Sequence, residues 1–214
     1  MITPADLWPP FGLVVTAGDL TLTPVTDDDL PALVDLVLDG VHPATEMPFD
    51  VPWTRTPVAD LPRELARYHW RCRAETSPAH LDLNLTVRRH DEILGSQGCH
   101  LNDFAVTRTA ETGSWLALRH QGQGLGTRMR RAVCSLLFDH LGASQVSSTA
   151  FVDNPASLAV SRKVGYVTDG VQRRNREGVL AESQRLVLTP EAFVRGEQVK
   201  VSRAEPLWRY LHQG

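Results

Sequence analysis

The chain has 214 residues, of which 42% are hydrophobic and 22% charged, with a formal net charge of −3. That length and apolar content fit one globular domain with a full core, or a domain with a tail. The slight acidity excludes the basic excess of a general nucleic-acid binder, and no apolar run approaches the ~20 residues that span a bilayer.

In chain order, MITPADLWPPFGLVV lacks a positive region and a long apolar stretch, so it does not read as a signal peptide. Residues 20–25 alternate and predict a first strand. Thr26 followed by Asp29 has capping-box spacing. Leu30, Leu33, Val34 and Val37 then recur on one helical face. Residues 40–57 hold four prolines together with Phe49 and Trp53, which predicts an ordered loop and not a linker. A second helix is predicted over 61–75, with Leu61, Leu65, Tyr68 and Cys72 as its apolar stripe.

Residues 80–88 alternate through Leu81, Leu83, Leu85 and Val87, turn at His90-Asp91, and return over 93–101 as a hairpin. Residues 112–118 predict another strand. A glycine-rich loop opens a helix to about residue 141, burying Leu125, Met129, Ala132, Val133, Leu136 and Leu137. A strand over 145–152, a helix over 154–164 and a closing hairpin of 166–173 with 180–188 complete the pattern. The expected fold is α/β (α+β), a mixed sheet with helices on both faces. The expected division is a domain over 1–190 and an extension over 191–214. In that extension Leu207, Trp208 and Leu211 share a helical face that packs on the domain or on a partner.

Cys72, Cys99 and Cys134 lie far apart, with no CxxC or Cys/His ligand spacing, so neither a metal nor a disulfide framework is expected. Three free thiols fit a reducing cytosol, so the expected location is cytoplasmic. Arg128, Arg130 and Arg131 read as a solvated helix face, and His120 as an exposed neutral histidine beside the loop.

The stretch RHQGQGLGTRMRRAV carries the chemistry. A dinucleotide fingerprint needs a third glycine where Thr127 stands, and a P-loop needs a lysine that is missing. The pattern [QR]-x-x-G-x-[GA] is met by Gln121, Gly124 and Gly126. Glycine leaves backbone amides unshielded, and a helix N-terminus adds about half a positive charge, which together suit a pyrophosphate. A turn that only caps a helix is the plainer alternative. Downstream, Asn154-Pro155 is an N-cap with proline at the first helical position. Ser157 and Ser161 follow four apart, and Gly165 ends the helix before Tyr166.

On Gln121, Gly124, Gly126, Asn154, Ser157, Gly165 and Tyr166, the chain resembles the GCN5-related N-acetyltransferase (GNAT) superfamily, of the RimJ/RimL type. The strand AETGSWLAL is similar to the one preceding the family's loop, and the order of elements matches from about residue 20 to 188. MPFDVPWTR resembles an actinobacterial subset, some of whose members bind succinyl-CoA.

The resemblance implies a mostly antiparallel sheet splayed between the fourth and fifth predicted strands. It implies an acetyl-CoA or succinyl-CoA donor and a small-molecule or peptide amine acceptor that attacks directly in a ternary complex. A non-catalytic acyl-CoA-binding protein on the same fold is the alternative, and homo-oligomerisation is left open. The implied cofactor contacts are Trp115, Leu116, Ala117 and Leu118 on the strand. Gln121, Gly122, Gln123, Gly124, Leu125, Gly126 and Thr127 follow on the loop, and Asn154, Ser157 and Ser161 on the next helix. Glu111 is the candidate base, or else a surface charge at a strand end. Ser161 stands where many members carry a tyrosine acid, so Ser161 or Ser157 takes that role, or the thiolate leaves unassisted and both are ordinary helix-surface serines. Phe49, Trp53 and Arg55 are candidate acceptor contacts, or else a loop core. For a succinyl carboxylate the cations nearest in sequence are Arg55, Arg71, Arg73 and His42.

Overall fold

The computed structural model describes residues 1–213. A short helix α1 (Pro4–Leu7) leads to β1 (Val14–Ala17), β2 (Leu20–Pro24), α2 (Leu30–Asp39) and α3 (Leu61–Ala74). Then come β3 (His80–Arg89), β4 (Glu92–Asn102), a one-turn α4 (Phe104–Thr107), β5 (Thr109–Leu116) and α5 (Leu125–Ser135). The chain closes with β6 (Gln145–Phe151), α6 (Pro155–Val164), β7 (Val167–Arg176), β8 (Val179–Leu188), β9 (Val199–Ser202) and α7 (Ala204–Leu211). The nine strands form one sheet in the order β7-β8-β6-β5-β4-β3-β2-β1-β9.

Alternation decides which side of the sheet each residue serves. Leu81, Leu83, Leu85 and Val87 of β3 bury against Leu125, Met129, Ala132 and Val133 of α5 in the main core. The opposite face carries α2 and α3, where Leu33, Val34 and Leu65 pack with Val25 and Trp115. The expected capping box is present: Thr26 N donates to Asp29 Oδ2 at 2.9 Å. Asp29 also reaches across to β3, accepting from Thr86 Oγ1 at 3.1 Å and pairing with Arg88, so one buried carboxylate ties the start of α2 to the sheet.

The feature that positions the site is the junction of β5 and β6. They run parallel, and they pair only at Thr109↔Gln145, Ala110↔Val146 and Glu111↔Ser147. Every other strand pair in the sheet is antiparallel. Beyond Glu111 the two strands part. β5 stays paired with β4 as far as Leu116↔Gly95, and β6 with β8 as far as Phe151↔Ser183. The result is a fork whose arms are each held from the outside, the splay implied by the resemblance.

Several elements differ from the sequence expectation: α1, β1, α4 and β9 have no counterpart in it, and β5 runs over Thr109–Leu116 and not 112–118. β1 is too short for its alternation to stand out, yet it pairs with β2 and, through Val14↔Ser202, with β9 from the far end of the chain. The helix from Leu125 keeps α geometry to Ser135 and then widens into π turns over Leu136–Leu141. In α7, Leu207 and Leu211 are buried, but Trp208 turns 41% of its surface to solvent and stacks on His212. Residues 192–194 cross the end of α6, where Val194 N donates to Val164 O at 2.9 Å. Gly165 permits this crossing: its φ is +105°, and a Cβ there would lie 2.1 Å from Ala192 O.

Removing one partner of a buried ion pair leaves the other charge uncompensated. Arg88→Met is therefore expected to lower the unfolding free energy by about 3 kcal/mol, read from urea denaturation. An unchanged midpoint would mean that the Asp29–Arg88 tie does not hold α2 to the sheet.

Candidate active site

The glycine loop sits at the mouth of the fork. Gly122 and Gly124 take left-handed φ of +74° and +78°, and a Cβ on either would project into open space. Gly124 is the N-cap of α5, and its carbonyl accepts from Thr127 N and Arg128 N. The amides of Gly122, Gln123, Gly124, Leu125 and Gly126 have no acceptor among the described residues. Five adjacent free donors at a helix N-terminus are an anion cradle, and they fit the diphosphate of coenzyme A. Gly126 completes the fit: a Cβ there would meet Val160 Cγ2 of α6 at 3.4 Å.

Gln121 does not point into this cradle. Its Nε2 donates to Leu116 O at 2.8 Å and to Val41 O at 2.9 Å, which clamps the loop to the end of β5. Gln123 turns away as well, donating to Arg119 O. Leu125 contributes its amide while its side chain is buried in the core.

The crotch of the fork is stitched by side chains. Thr112 Oγ1 donates to Ser147 O at 3.2 Å and shares a hydrogen bond of 2.9 Å with the Tyr166 hydroxyl. Ser148 Oγ donates to Thr112 O at 3.0 Å. Arg130, 4% exposed, spans the two arms, donating to Ser114 Oγ on β5 (2.9 Å) and to Ser148 Oγ on β6 (3.2 Å). No carboxylate among the described residues pairs with it. This corrects the reading of a solvated arginine face. Arg130 is interior, while Arg128 pairs with Asp19 and Glu197, and Arg131 donates to Lys163 O. Helical spacing could have shown it, because Arg130 falls beside Met129 and Val133 on the buried side of α5.

A cavity of about 1240 Å³ runs from the loop through the fork to the face under α3. Glu111, Trp115, Leu116, Gly122, Gly124, Gly126, Thr127, Asn154 and Ser157 all line it, as do Phe49 and Trp53. Phe49 stands 5.1 Å from Trp53, which stands 5.8 Å from Trp115, forming an aromatic wall continuous with the core of the loop. Glu111 is exposed on the cavity wall, opposite His100 in the β4–β5 register.

Four candidates fall elsewhere. Ala117 N donates to Leu94 O and Leu118 N to Gly40 O, so neither amide is free for a ligand, because the strand has already turned into the loop. Ser161 is fully buried and its Oγ has no partner; one turn beyond Ser157, the same face of α6 is closed by packing. Asn154 is not one of these four: it lines the cavity and is also the helix cap, its Oδ1 accepting from Ser157 N at 3.0 Å. Arg55 binds Glu177 and the carbonyls of Ala44 and Glu46, so it fastens the loop to the β7–β8 hairpin instead of facing the cavity. Of the other named cations, Arg73 pairs with Asp27, and both ring nitrogens of His42 are engaged, whereas Arg71 lines the cavity without an acidic partner among the described residues. His120 is buried, not exposed, and burial lowers its pKa.

Burial also sets the chemistry of the thiols. It pushes Cys72 and Cys134 up to about 11 and Cys99 higher still, so all three stay protonated at neutral pH. His69, buried beneath α3 on the cavity wall, is pushed down to about 4 by desolvation, with Arg73 adding to the shift.

Residues 19–167, more than half of the chain, match the family described as the acetyltransferase (GNAT) domain. The chain belongs to the GNAT family. Among curated proteins it is 34% identical over 68 residues to YdaF of Bacillus subtilis, named as a ribosomal N-acetyltransferase; the match covers 32% of this chain and 37% of that one. It is 31% identical over 90 residues to YoaA of Bacillus subtilis, an uncharacterized N-acetyltransferase, covering 41% and 50%. The chain thus aligns with half or less of the length of these relatives. Among solved structures, RimL, a ribosomal L7/L12 α-N-protein acetyltransferase in complex with coenzyme A, superposes with a TM-score of 0.68 at 18% identity, covering 84% of this chain and 99% of that one. Mycobacterium smegmatis RimJ in complex with CoA-disulfide gives 0.66 at 21% identity, covering 94% of each chain. The GNAT fold, with its mixed, mostly antiparallel sheet, is shared with both.

The His69 shift has a defined sign. Between pH ~6.5 and about 4 the unfolded imidazole binds a proton that the folded one refuses. Stability is therefore full above pH ~6.5 and falls as the pH approaches 4, by on the order of 3 kcal/mol. Melting curves of wild type and His69→Gln across this window should diverge, with the wild type losing more on acidification. Parallel curves would show that His69 titrates normally in the fold.

Proposed function

We propose that the chain transfers an acyl group from acyl-CoA to a primary amine by direct attack within a ternary complex. The observation that carries this reading is the row of five free amides, Gly122 to Gly126, opening onto a fork that β6 leaves unpaired. Those amides would hold the diphosphate, with Thr127, Asn154 and Ser157 around it. The β5 backbone at Trp115 and Leu116 would receive the pantetheine arm. When bound, the thioester supplies an activated carbonyl and a thiolate leaving group.

The chain's own residues then have three tasks. An alkylamine is mostly protonated at neutral pH, its pKa being near ~10.4, so a base must take a proton. Glu111, exposed on the cavity wall, is that base, directly or through a water. The backbone amide of Trp115 or Leu116 donates to the carbonyl oxygen as it gains charge. Ser157 lines the cavity and would return a proton to sulfur, a role for which the buried Ser161 is less suited. Protonated, buried thiols offer no nucleophile for an acyl-enzyme, which supports direct transfer.

An acetyl donor agrees with the names of the relatives. A succinyl donor needs a cation for its distal carboxylate, and among the described residues Arg71, Arg130 and Lys163 line the cavity without an acidic partner. The mass of the thioester that co-purifies separates the two. Phe49 and Trp53 would form the acceptor wall. Residues 1–190 would act as the acyl-CoA-binding unit, with 191–214 packed on it, in a reducing, cytoplasmic setting that keeps the three thiols free. A non-catalytic acyl-CoA binder is the second reading, favoured by the burial of Ser161 where a proton donor was expected.

Glu111→Gln is expected to lower kcat by ~10²- to 10⁴-fold while leaving acyl-CoA affinity unchanged. Gly126→Val is expected to weaken acyl-CoA binding by crowding Val160. Release of CoA thiol, followed with a panel of amines, reads both. No release from wild type with any amine would favour the binder, and full activity of Glu111→Gln would remove that residue from the chemistry.

A further inference from the structure

The hairpin of β3 and β4 builds a second polar cluster on the face opposite its leucine core. The register places His80 opposite Asn102 and Asp82 opposite His100. Because His80 and Asp82 are two apart on one strand, and His100 and Asn102 two apart on the other, all four side chains leave the same face. The ligand atoms of His80, Asp82 and His100 all lie within 4.8 Å of one another.

The inner atoms converge on the Asp82 carboxylate. Its Oδ1 is hydrogen-bonded to His100 Nδ1, and its Oδ2 lies 3.5 Å from His80 Nε2. The outer ring nitrogens, His80 Nδ1 and His100 Nε2, both touch the Asn102 side-chain amide, at 2.8 and 2.6 Å. The arrangement is therefore two imidazoles and one carboxylate facing inward, with one amide fixing both rings from behind. A ring of hydrogen bonds does not account for it by itself. A neutral His80 that donates its Nδ1 proton to Asn102 Oδ1 turns a bare Nε2 toward a carboxylate oxygen, lone pair against lone pair. A proton on Nε2 or a metal cation between the two atoms resolves the conflict.

We propose that His80, Asp82 and His100 bind a divalent transition-metal cation of the zinc class. Two imidazole nitrogens and a carboxylate oxygen suit that class, and three protein ligands leave a coordination position open to solvent. Asn102 Oδ1 acts as the outer acceptor that orients the His80 ring, whereas His100 now accepts from Asn102 Nδ2 and carries its proton on Nδ1 toward Asp82, so ligation there requires that proton to move to Nε2 and the amide contact to be remade. The ligands sit on a continuous two-stranded ladder, so they are placed before the ion arrives. Neither histidine belongs to a short sequence motif, and the set becomes visible only once the cross-strand register is known. The site rests on the hairpin alone and stands apart from the transferase reading. It has a consequence for that reading, since Asp82, His100 and Glu111 line one cavity and His100 is the cross-strand neighbour of Glu111. An ion there puts positive charge where a cationic amine must approach.

The test uses the full chain without a polyhistidine tag. Co²⁺ is titrated while its visible absorption bands are followed, and Zn²⁺ affinity is measured by competition with a chromophoric chelator. A single equivalent is expected to bind. His80→Ala and His100→Ala should abolish the Co²⁺ bands, Asp82→Asn should do so with little change in shape, and Asn102→Ala should weaken Zn²⁺ binding roughly 10- to 100-fold. Thermal melts establish that each variant is folded. The proposal is overturned if wild type gives no bands, or if wild type and the His80→Ala/His100→Ala double variant hold Zn²⁺ equally well, which would mean protonation of His80 or scattered surface histidines. Zn²⁺ inhibition of turnover in wild type but not in His80→Ala is a separate readout, so an inactive enzyme leaves the binding result intact.

Discussion

A pair of parallel strands that separates after three residue pairs creates the constraint on which the rest of this structure depends. Backbone amides and carbonyls need partners, and along the inner edges of the fork the sheet does not supply them. The fold manages the separation without loosening it. Each arm is anchored on its outer side, β5 to β4 and β6 to β8. The crotch is tied by Thr112, Ser148 and Tyr166, and Arg130 reaches from α5 to both arms at once. An opening built this way is a fixed slot with extended backbone on one wall.

The slot and the loop below it act together. α5 begins where β5 ends, so the unshielded amides at its N-terminus lie at the entrance to the fork. Gln121 holds that relation by bonding back to Leu116 O. A ligand that suits both features is long, anionic at one end and rich in amide groups along its middle, which describes an acyl-CoA. On the proposed reading the reacting carbonyl would lie toward the face carrying Glu111, Trp115 and the aromatic loop. The same physical logic explains the inert thiols: the core that stiffens the fork also withdraws Cys99 and Cys134 from water.

Local signals were legible in the sequence. The leucine alternation of β3, the capping box of Thr26 and Asp29, the Asn154 cap and the loop glycines each depend on neighbours within a few residues, and each is in place. What needed the third dimension was missed. Arg55 looked available for a ligand until Glu177, 122 positions away, was seen to hold it. Ser161 shares a helical face with Ser157, yet the depth of packing along α6 separates a half-buried residue on the cavity wall from a fully buried one. β9 borders β1 only because the two ends of the chain meet, and the His80–Asp82–His100 group exists only in one register of one hairpin.

The central claim is that the free amides from Gly122 to Gly126 are the anchor for coenzyme A. Amide ¹H–¹⁵N correlation spectra of the labelled chain, recorded as CoA is added, test it residue by residue. The account predicts large downfield proton shifts confined to Gly122, Gln123, Gly124, Leu125 and Gly126 at the diphosphate end, with smaller shifts at Trp115 and Leu116. Saturable binding that leaves the five loop amides unmoved would contradict it, as would the absence of any shift at all.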